Sequence, residues 1–210
     1  IQSVFSHLSG ADAPEHDDFT RQQIALFDLL STQISDGCDY PIIRHILNSS
    51  GISRFPEAQF DMVRLGIGMY GISSDPEVQK ILRNVTTLKT VISQMKTVKS
   101  GETIGYNRQG KADKDLRIAT LPIGYADGLN RHLSNGKGRV IVHGKSAPII
   151  GNICMDMCMI NVTDTKASRG DEVIIFGEEL SIWELAETLG TIPYEVLTGV
   201  SRRVKRVYFH

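Results

Sequence analysis

Apolar and polar positions along the first third of the chain change period several times. Ile1 to Ser6 is a short apolar run of strand type, and Phe19 to Gln33 then carries Ile24, Leu26, Phe27, Leu29 and Leu30 at helical spacing. Pro41 to Leu47 returns to β-branched composition and predicts a second strand. Glu57 to Asp61 predicts a short helical turn, and Met62 to Leu65 a third short strand. Strands separated by helices pair in parallel, so residues 1–83 predict an α/β architecture. Three parallel strands neither close a barrel nor cover both faces of a sheet. This piece is therefore too short to be a complete α/β domain and is expected to be cut from something longer; the chain opens on Ile1 rather than Met.

From Asn84 the period shortens to that of strands. Asn84 to Val98 reads as one long strand with Val85, Leu88, Val91 and Met95 among its apolar positions. Shorter strands are predicted at Leu116 to Ile123, Arg139 to Val142, Ala147 to Ile150, Met157 to Val162, Glu172 to Phe176 and Val204 to Phe209. Asn135-Gly136, His143-Gly144 and Arg169-Gly170-Asp171 punctuate them as turns. One helix interrupts at Ser181 to Leu189, where Ser181 and Glu184 have capping-box spacing ahead of Leu185, Ala186 and Leu189. Residues 84–210 thus predict a mainly antiparallel β-rich C-terminal domain.

Composition narrows the function classes. With 23 basic and 24 acidic side chains the formal net charge is −1, so no whole-chain field favours nucleic acid or an anionic membrane. Arg202, Arg203, Lys205 and Arg206 are locally basic and read as a solvated strand face. No apolar stretch approaches the ~20 residues of a membrane helix, and no secretory signal opens the chain, so a cytoplasmic protein is expected. Cys38, Cys154 and Cys158 form neither a disulfide framework nor a zinc pattern; free thiols and no metal are expected.

Ligands of α/β folds bind beyond the C-terminal ends of the parallel strands. That rule selects Ser6-His7, Asn48-Ser49-Ser50-Gly51 and Arg64-Leu65-Gly66-Ile67-Gly68. A small hydroxyl such as Ser49 beside glycines suits a phosphate oxygen, although the same residues suit an ordinary turn. Arg64 suits an anion or a ring nitrogen, or a surface ion pair. Gly66 to Gly71 matches G-x-G-x-x-G, but Ser73-Ser74-Asp75-Pro76 follows at once, with no helix and no acidic residue at the required distance. The dinucleotide reading is rejected. In the second half, Tyr106, Tyr125 and Tyr194 sit in glycine- or proline-flanked turns, and Gly151-Asn152-Ile153-Cys154-Met155-Asp156 joins them as a further polar loop.

Taken in order, Ser6-His7-Leu8 with Ala11-Asp12, Asn48-Ser49, Arg64 to Gly71, Gly105-Tyr106, Pro122-Ile123-Gly124-Tyr125-Ala126-Asp127-Gly128, Gly151-x-x-Cys154-Met155-Asp156 and Tyr194-Glu195-Val196 resemble the alanine racemases. The resemblance spans essentially the whole chain. It implies a fold of an eight-stranded α/β barrel followed by a β-rich domain. This chain would supply the last barrel strands and the second domain, while the lysine that carries pyridoxal phosphate would lie outside it.

The resemblance also implies roles. Arg64 would donate to the pyridine nitrogen of pyridoxal 5'-phosphate and, being always protonated, keep that nitrogen unprotonated. Ser49, the amides of Gly66 and Ile67, and Tyr194 would bind its phosphate. Tyr106 would be one of two acid/base groups at the substrate α-carbon, on the face opposite the lysine, as racemisation requires. Tyrosine ordinarily titrates near ~10, so Tyr106 would need the support of His7, with Arg64 behind it. Met155 would offer its amide to the substrate carboxylate, and Tyr125 and Asp156 would line the access passage. Asn107 stands where the family usually has glycine, and asparagine tolerates left-handed backbone angles. The resemblance implies alanine as substrate and a head-to-tail homodimer in which Tyr106 acts across the interface. The alternatives are a non-catalytic module that dimerises or binds the cofactor, and a racemase of serine or another small amino acid.

Overall fold

The computed structural model describes residues 1–209, which fall into two compact units, Ile1–Val85 and the chain from Thr86 onward. Each is described by itself.

The first unit contains β1 (Ser3–Phe5), α1 (Asp17–Asp36), β2 (Ile43–His45), α2 (Ser49–Arg54) and α3 (Pro76–Ile81). Strands β1 and β2 pair in parallel, Ser3 opposite Ile43 through Phe5 opposite His45. The parallel pairing expected of this piece is present with two strands. The third predicted strand, Met62 to Leu65, is instead an extended segment tied to β2 and its exit by Asp61 N–H to Arg44 O (3.1 Å) and Arg64 N–H to Leu47 O (3.0 Å). Two bonds three residues apart do not make a ladder.

Helix α1 opens with Asp17 and Asp18, which favour its positive end. It buries Phe27 and leans Ile24 on a core of Leu8, Ala11, Ile46, Leu47, Phe55 and Ala58. Leu26, Leu29 and Leu30, which belong to the predicted stripe, are about half exposed. The covered face runs instead through Thr20, Phe27 and Ser31, steps of about two turns and then one. Two short helices were not legible. Helix α2 starts at Ser49 because Asn48 Oδ1 accepts the Gly51 amide (2.9 Å), and α3 because Asp75 Oδ1 accepts those of Glu77 and Val78 (2.9 and 3.4 Å).

The second unit holds β3 (Leu88–Val91), β4 (Gln94–Val98), β5 (Thr103–Ile104), β6 (Gly110–Lys111), β7 (Leu116–Leu121), β8 (Arg139–Val142), β9 (Lys145–Pro148), β10 (Cys158–Asn161), β11 (Glu172–Phe176), α4 (Ile182–Leu189) and α5 (Pro193–Gly199). All its strand pairs are antiparallel, in sheets ordered β10-β7-β4, β3-β11-β8-β9 and β5-β6. The strand predicted over Asn84 to Val98 is broken at Ile92-Ser93. There Ile92 N–H bonds Asp171 O beside one sheet and Ser93 N–H bonds Thr120 O in the other, so the chain changes sheets. The β8–β9 hairpin turns on His143-Gly144, both at positive φ (50° and 69°), as a two-residue turn requires.

Ser181 caps α4 by accepting the Trp183 amide (3.2 Å). Glu184 does not reach back to complete a capping box; it takes a two-point bond from Arg139, at 2.6 and 2.7 Å. The charge-assisted pair outcompetes the backbone amide for the carboxylate. Residues 204–209 form no strand, and the basic run from Arg202 to Arg206 is not simply a solvated face. Arg206 donates to the carbonyls of Val200, Ser201 and Val204, and Arg203 is engaged as described below. Among the described residues no helix is long and apolar enough to cross a membrane.

Candidate active site

In the first unit the parallel strands deliver their C-terminal ends to one guanidinium. Arg64 Nη2 donates to Ser6 O (2.7 Å) and His7 Nδ1 (3.2 Å) past β1, and Nη1 to His45 Nδ1 (2.7 Å) at the end of β2. Weaker bonds at 3.3 Å run to His45 O and Ile46 O. A guanidinium only donates, so both imidazoles accept at Nδ1 and carry their proton on Nε2. His45 is buried and stacks on Phe5 (ring centroids 5.4 Å apart, 11° between planes). Burial pushes its pKa below the ordinary value, and the Arg64 charge adds to the depression. His45 therefore stays neutral and acceptor-ready. These bonds use Nη1 and Nη2 and, among the described residues, leave the Nε–H of Arg64 uncommitted.

Two residues further on lies a cradle of glycine amides. Gly66 N–H and Gly68 N–H both point at Ser49 Oγ, at 3.0 and 3.3 Å. A Cβ on Gly68 would stand 2.8 Å from Leu65 Cδ1, so a side chain there would crowd the turn. Ile67–Tyr70 forms a single 3-10 turn that ends at Gly71, φ 75°, and a Cβ on Gly71 would stand 1.8 Å from Arg83 O. The glycine motif thus opens no α-helix, in keeping with the rejected dinucleotide reading.

In the second unit the loop 151–157 is the organiser. On one side it holds the tyrosine turn. Buried Asn152 donates from Nδ2 to Tyr106 O (3.2 Å) while its Oδ1 accepts from Asn135 Nδ2 (3.1 Å). Tyr106 follows Gly105 (φ 76°) and precedes Asn107 (φ 56°), so the residue in the family's glycine position adopts the left-handed angle. The Tyr106 side chain is 70% exposed and open to whatever docks on it. On the other side the 122–128 loop is zipped on by Tyr125 N–H to Cys154 O and Ala126 N–H to Met155 O, both 3.0 Å. A Cβ on Gly124 would stand 2.3 Å from Cys154 O and 2.4 Å from Met155 O, so this approach exists only because residue 124 is glycine. Asp156, the residue after Met155, pairs with Arg203, which also pairs with Asp127. Tyr194 is the second residue of α5, which begins on Pro193, a favoured first helical residue.

The structure therefore joins His7 to Arg64, and Ser49 to Gly66, in one unit. In the other it joins Tyr125, Met155 and Asp156, and through Asn152 it ties Tyr106 to the same loop. Reasoning from sequence missed His45, Asn152, Asp127 and Arg203. His45 had a signal, lying at a strand end as His7 does. Asn152 and Asp127 lay inside motifs read for their neighbours. Cys158 is fully buried, its thiol pushed up to about 12 by burial, and Cys154 is half-buried and raised for the same reason. Among the described residues no cluster of three or more His, Cys, Asp or Glu could hold a metal ion.

The family described as alanine racemase, N-terminal domain, matches residues 1–74, and that described as alanine racemase, C-terminal domain, matches residues 85–208. The chain belongs to the alanine racemase family. It is 42% identical over 216 residues to alanine racemase 1 of Clostridium acetobutylicum, covering 99% of this chain and 55% of that protein. Among solved structures it resembles an alanine racemase of Clostridium difficile 630, with a TM-score of 0.90, 37% identity, and 99% and 55% of the two chains covered. It also resembles that of Bartonella henselae with covalently bound pyridoxal phosphate, with a TM-score of 0.86, 31% identity, and 100% and 57% covered. The chain spans about half the length of the alanine racemases it matches. The Arg64–Ser49 cluster lies within the N-terminal family match, and the 151–157 loop with its partners within the C-terminal one.

Proposed function

We propose that the protein containing this chain is a pyridoxal-phosphate-dependent alanine racemase that interconverts L- and D-alanine, supplying D-alanine for peptidoglycan in the cytoplasm. The observation that carries the reading is the Arg64 hub. A permanently charged guanidinium donates to two histidines at parallel strand ends, two residues before a hydroxyl-and-amide cradle.

The residues present fit the cofactor. Ser49 Oγ, with the Gly66 amide turned toward it and the Ile67 amide next in the chain, offers small, close groups for a phosphate; Tyr194 is the further residue to which the family resemblance gives this role. The Arg64 Nε–H suits a ring nitrogen that stays unprotonated. When bound, pyridoxal phosphate supplies an electron-withdrawing ring conjugated with the substrate's α-carbon.

The rest is work for this chain's side chains. Tyr106 moves a proton at the α-carbon from one face, and a lysine outside this chain does so from the other. An ordinary tyrosine pKa near ~10 is too high for a base at neutral pH. His7, whose tautomer the Arg64 bond at Nδ1 fixes, is the residue that supports Tyr106 in this reading. Tyr106 serves the site of the partner subunit in a head-to-tail homodimer. The Met155 amide holds the substrate carboxylate, and Tyr125 with Asp156 lines the access passage. The first unit forms the closing part of an eight-stranded α/β barrel.

The test is alanine racemisation by the full-length protein, followed by loss of the α-deuteron in each direction. Tyr106→Phe is expected to lower kcat by about 10²–10⁴-fold, the usual contribution of one general acid–base group. Full-length protein that binds pyridoxal phosphate without racemising alanine overturns the activity. Near-normal rates in both directions for Tyr106→Phe overturn the assignment of the base.

A further inference from the structure

Arg203 sits in the basic C-terminal run and is about half exposed, yet it is committed to two loops at once. Its Nε donates to Asp127 Oδ1 at 2.7 Å and its Nη2 to Asp156 Oδ1 at 2.5 Å. The pair to Asp127 is sheltered, that side chain being 14% exposed. Asp127 in turn uses its other oxygen to accept the Gly124 amide (2.8 Å), and its carbonyl accepts the Ser201 amide (3.0 Å). One guanidinium therefore pins the 122–128 loop, the 151–157 loop and the 200–204 segment together. Those loops present Tyr125 and Met155.

Electrostatics gives the arrangement a second consequence. Remove the cation and Asp127 and Asp156 face each other as like charges, with one of them sheltered from water. They would push the loops apart. They would also place net negative charge where an amino acid's carboxylate must pass. Burial pushes the Asp127 carboxyl up, but Arg203 and the Gly124 amide outweigh it and hold the group below its usual range, so the charge persists at neutral pH. Arg203 itself is raised, first by Asp127 and then by Asp156.

We propose that Arg203 is a positioning and specificity residue: it neutralises and spaces Asp127 and Asp156 so that Tyr125 and Met155 line a passage admitting a small amino-acid carboxylate. The proposal rests on the racemase reading above. It makes Arg203 act on substrate capture rather than on proton transfer.

The experiment uses the full-length protein as wild type, Arg203→Lys, Arg203→Leu and Arg203→Leu with Asp156→Asn. KM and kcat for alanine are measured at low and high salt, with hydrogen exchange of residues 122–128 and 153–157 in each variant. Arg203→Leu is expected to raise KM by about tenfold or more with kcat little changed, the pattern of lost binding rather than lost chemistry. Salt should narrow the gap, because screening weakens repulsion. Arg203→Lys should fall between, since an ammonium engages one carboxylate at a time, and it decides the matter if the leucine variant fails to fold. Asp156→Asn in the leucine background should recover most of KM by removing the repulsion. Exchange in both loops should rise in Arg203→Leu. An active wild type whose Arg203 variants keep KM, salt dependence and exchange unchanged overturns the proposal. A wild type that does not racemise alanine overturns the functional reading instead, and the exchange data then judge the pinning role alone.

Discussion

Gly124→Ala tests whether the interlock of the two loops has the strength its geometry implies. A Cβ there would stand 2.3 Å from Cys154 O, 2.4 Å from Met155 O and 2.5 Å from Met155 C, all backbone atoms with no rotamer to escape into. Ordinary contact needs roughly 1 Å more. Moving the loops apart by that much takes Tyr125 N–H to Cys154 O and Ala126 N–H to Met155 O from 3.0 Å out of hydrogen-bond range. Each bond contributes about 1 kcal/mol, and forcing a methyl into a packed site costs about 1–3 kcal/mol. The expected loss is therefore roughly 3–5 kcal/mol, borne by this region. At 1.4 kcal/mol per tenfold, protection of the Tyr125 and Ala126 amides should fall from about a hundredfold to several thousand-fold in hydrogen exchange of the full-length protein. Gly199→Ala is the control: a Cβ there meets nothing within 4 Å, so its effect should stay within about 0.5 kcal/mol. If Gly124→Ala leaves those amides as protected as in wild type, the loops do not depend on the close approach and the reasoning fails.

Three shorter predictions follow from other parts of the site. Asn152→Asp removes the Nδ2–H donor toward Tyr106 O and sets a carboxylate oxygen against it, so kcat should fall at least about tenfold while Asn152→Gln, which keeps the donor, retains more activity; equal losses in both would refute the role. The Cys158 thiol, fully buried and pushed up to about 12, should resist iodoacetamide in the native protein while half-buried Cys38 and Cys154 react faster, as mass spectrometry of labelled peptides would read out. Asp127 and Glu184 both titrate below their ordinary 3.8 and 4.5. Burial works against the shift in each; Arg203 and the Gly124 amide overcome it for Asp127, as the Arg139 bond does for Glu184. A depressed carboxylate stabilises fully above its unfolded value and loses that contribution as pH falls through its folded value. The melting temperature should therefore drop as pH falls from about 5 to about 3, and less steeply in Asp127→Asn.

How far sequence carried the account follows from the range of the signals involved. Strands β7, β8, β10 and β11 and helix α4 were legible because each is bounded by local turn or cap chemistry and is rich in buried apolar residues. The break at Ile92-Ser93 was not legible, because the alternation continues through it. Only the partners, Asp171 on one side and Thr120 on the other, show that the chain leaves one sheet for another. The short helices α2 and α5 were hidden for the opposite reason: six and seven residues hold too few turns for a stripe, and their caps read equally well as turns.

The same distinction separates the candidate site residues that the sequence names from those that only the folded chain brings forward. His7, Ser49, Arg64 and Tyr106 sit at strand ends or beside glycines, where position alone makes a polar side chain conspicuous. Asn152, Asp127 and Arg203 act through a second residue, and their meaning lies in distances between segments far apart in sequence: Asn152 to Tyr106 across 46 positions and Arg203 to Asp127 across 76. A basic run is an ordinary solvated surface until one of its members is found between two carboxylates. It follows that residues proposed to touch substrate can be read from local pattern, whereas those that fix its surroundings emerge only from the folded chain, and that substitutions at Arg203 should separate binding from chemistry in a way that substitutions at Tyr106 cannot.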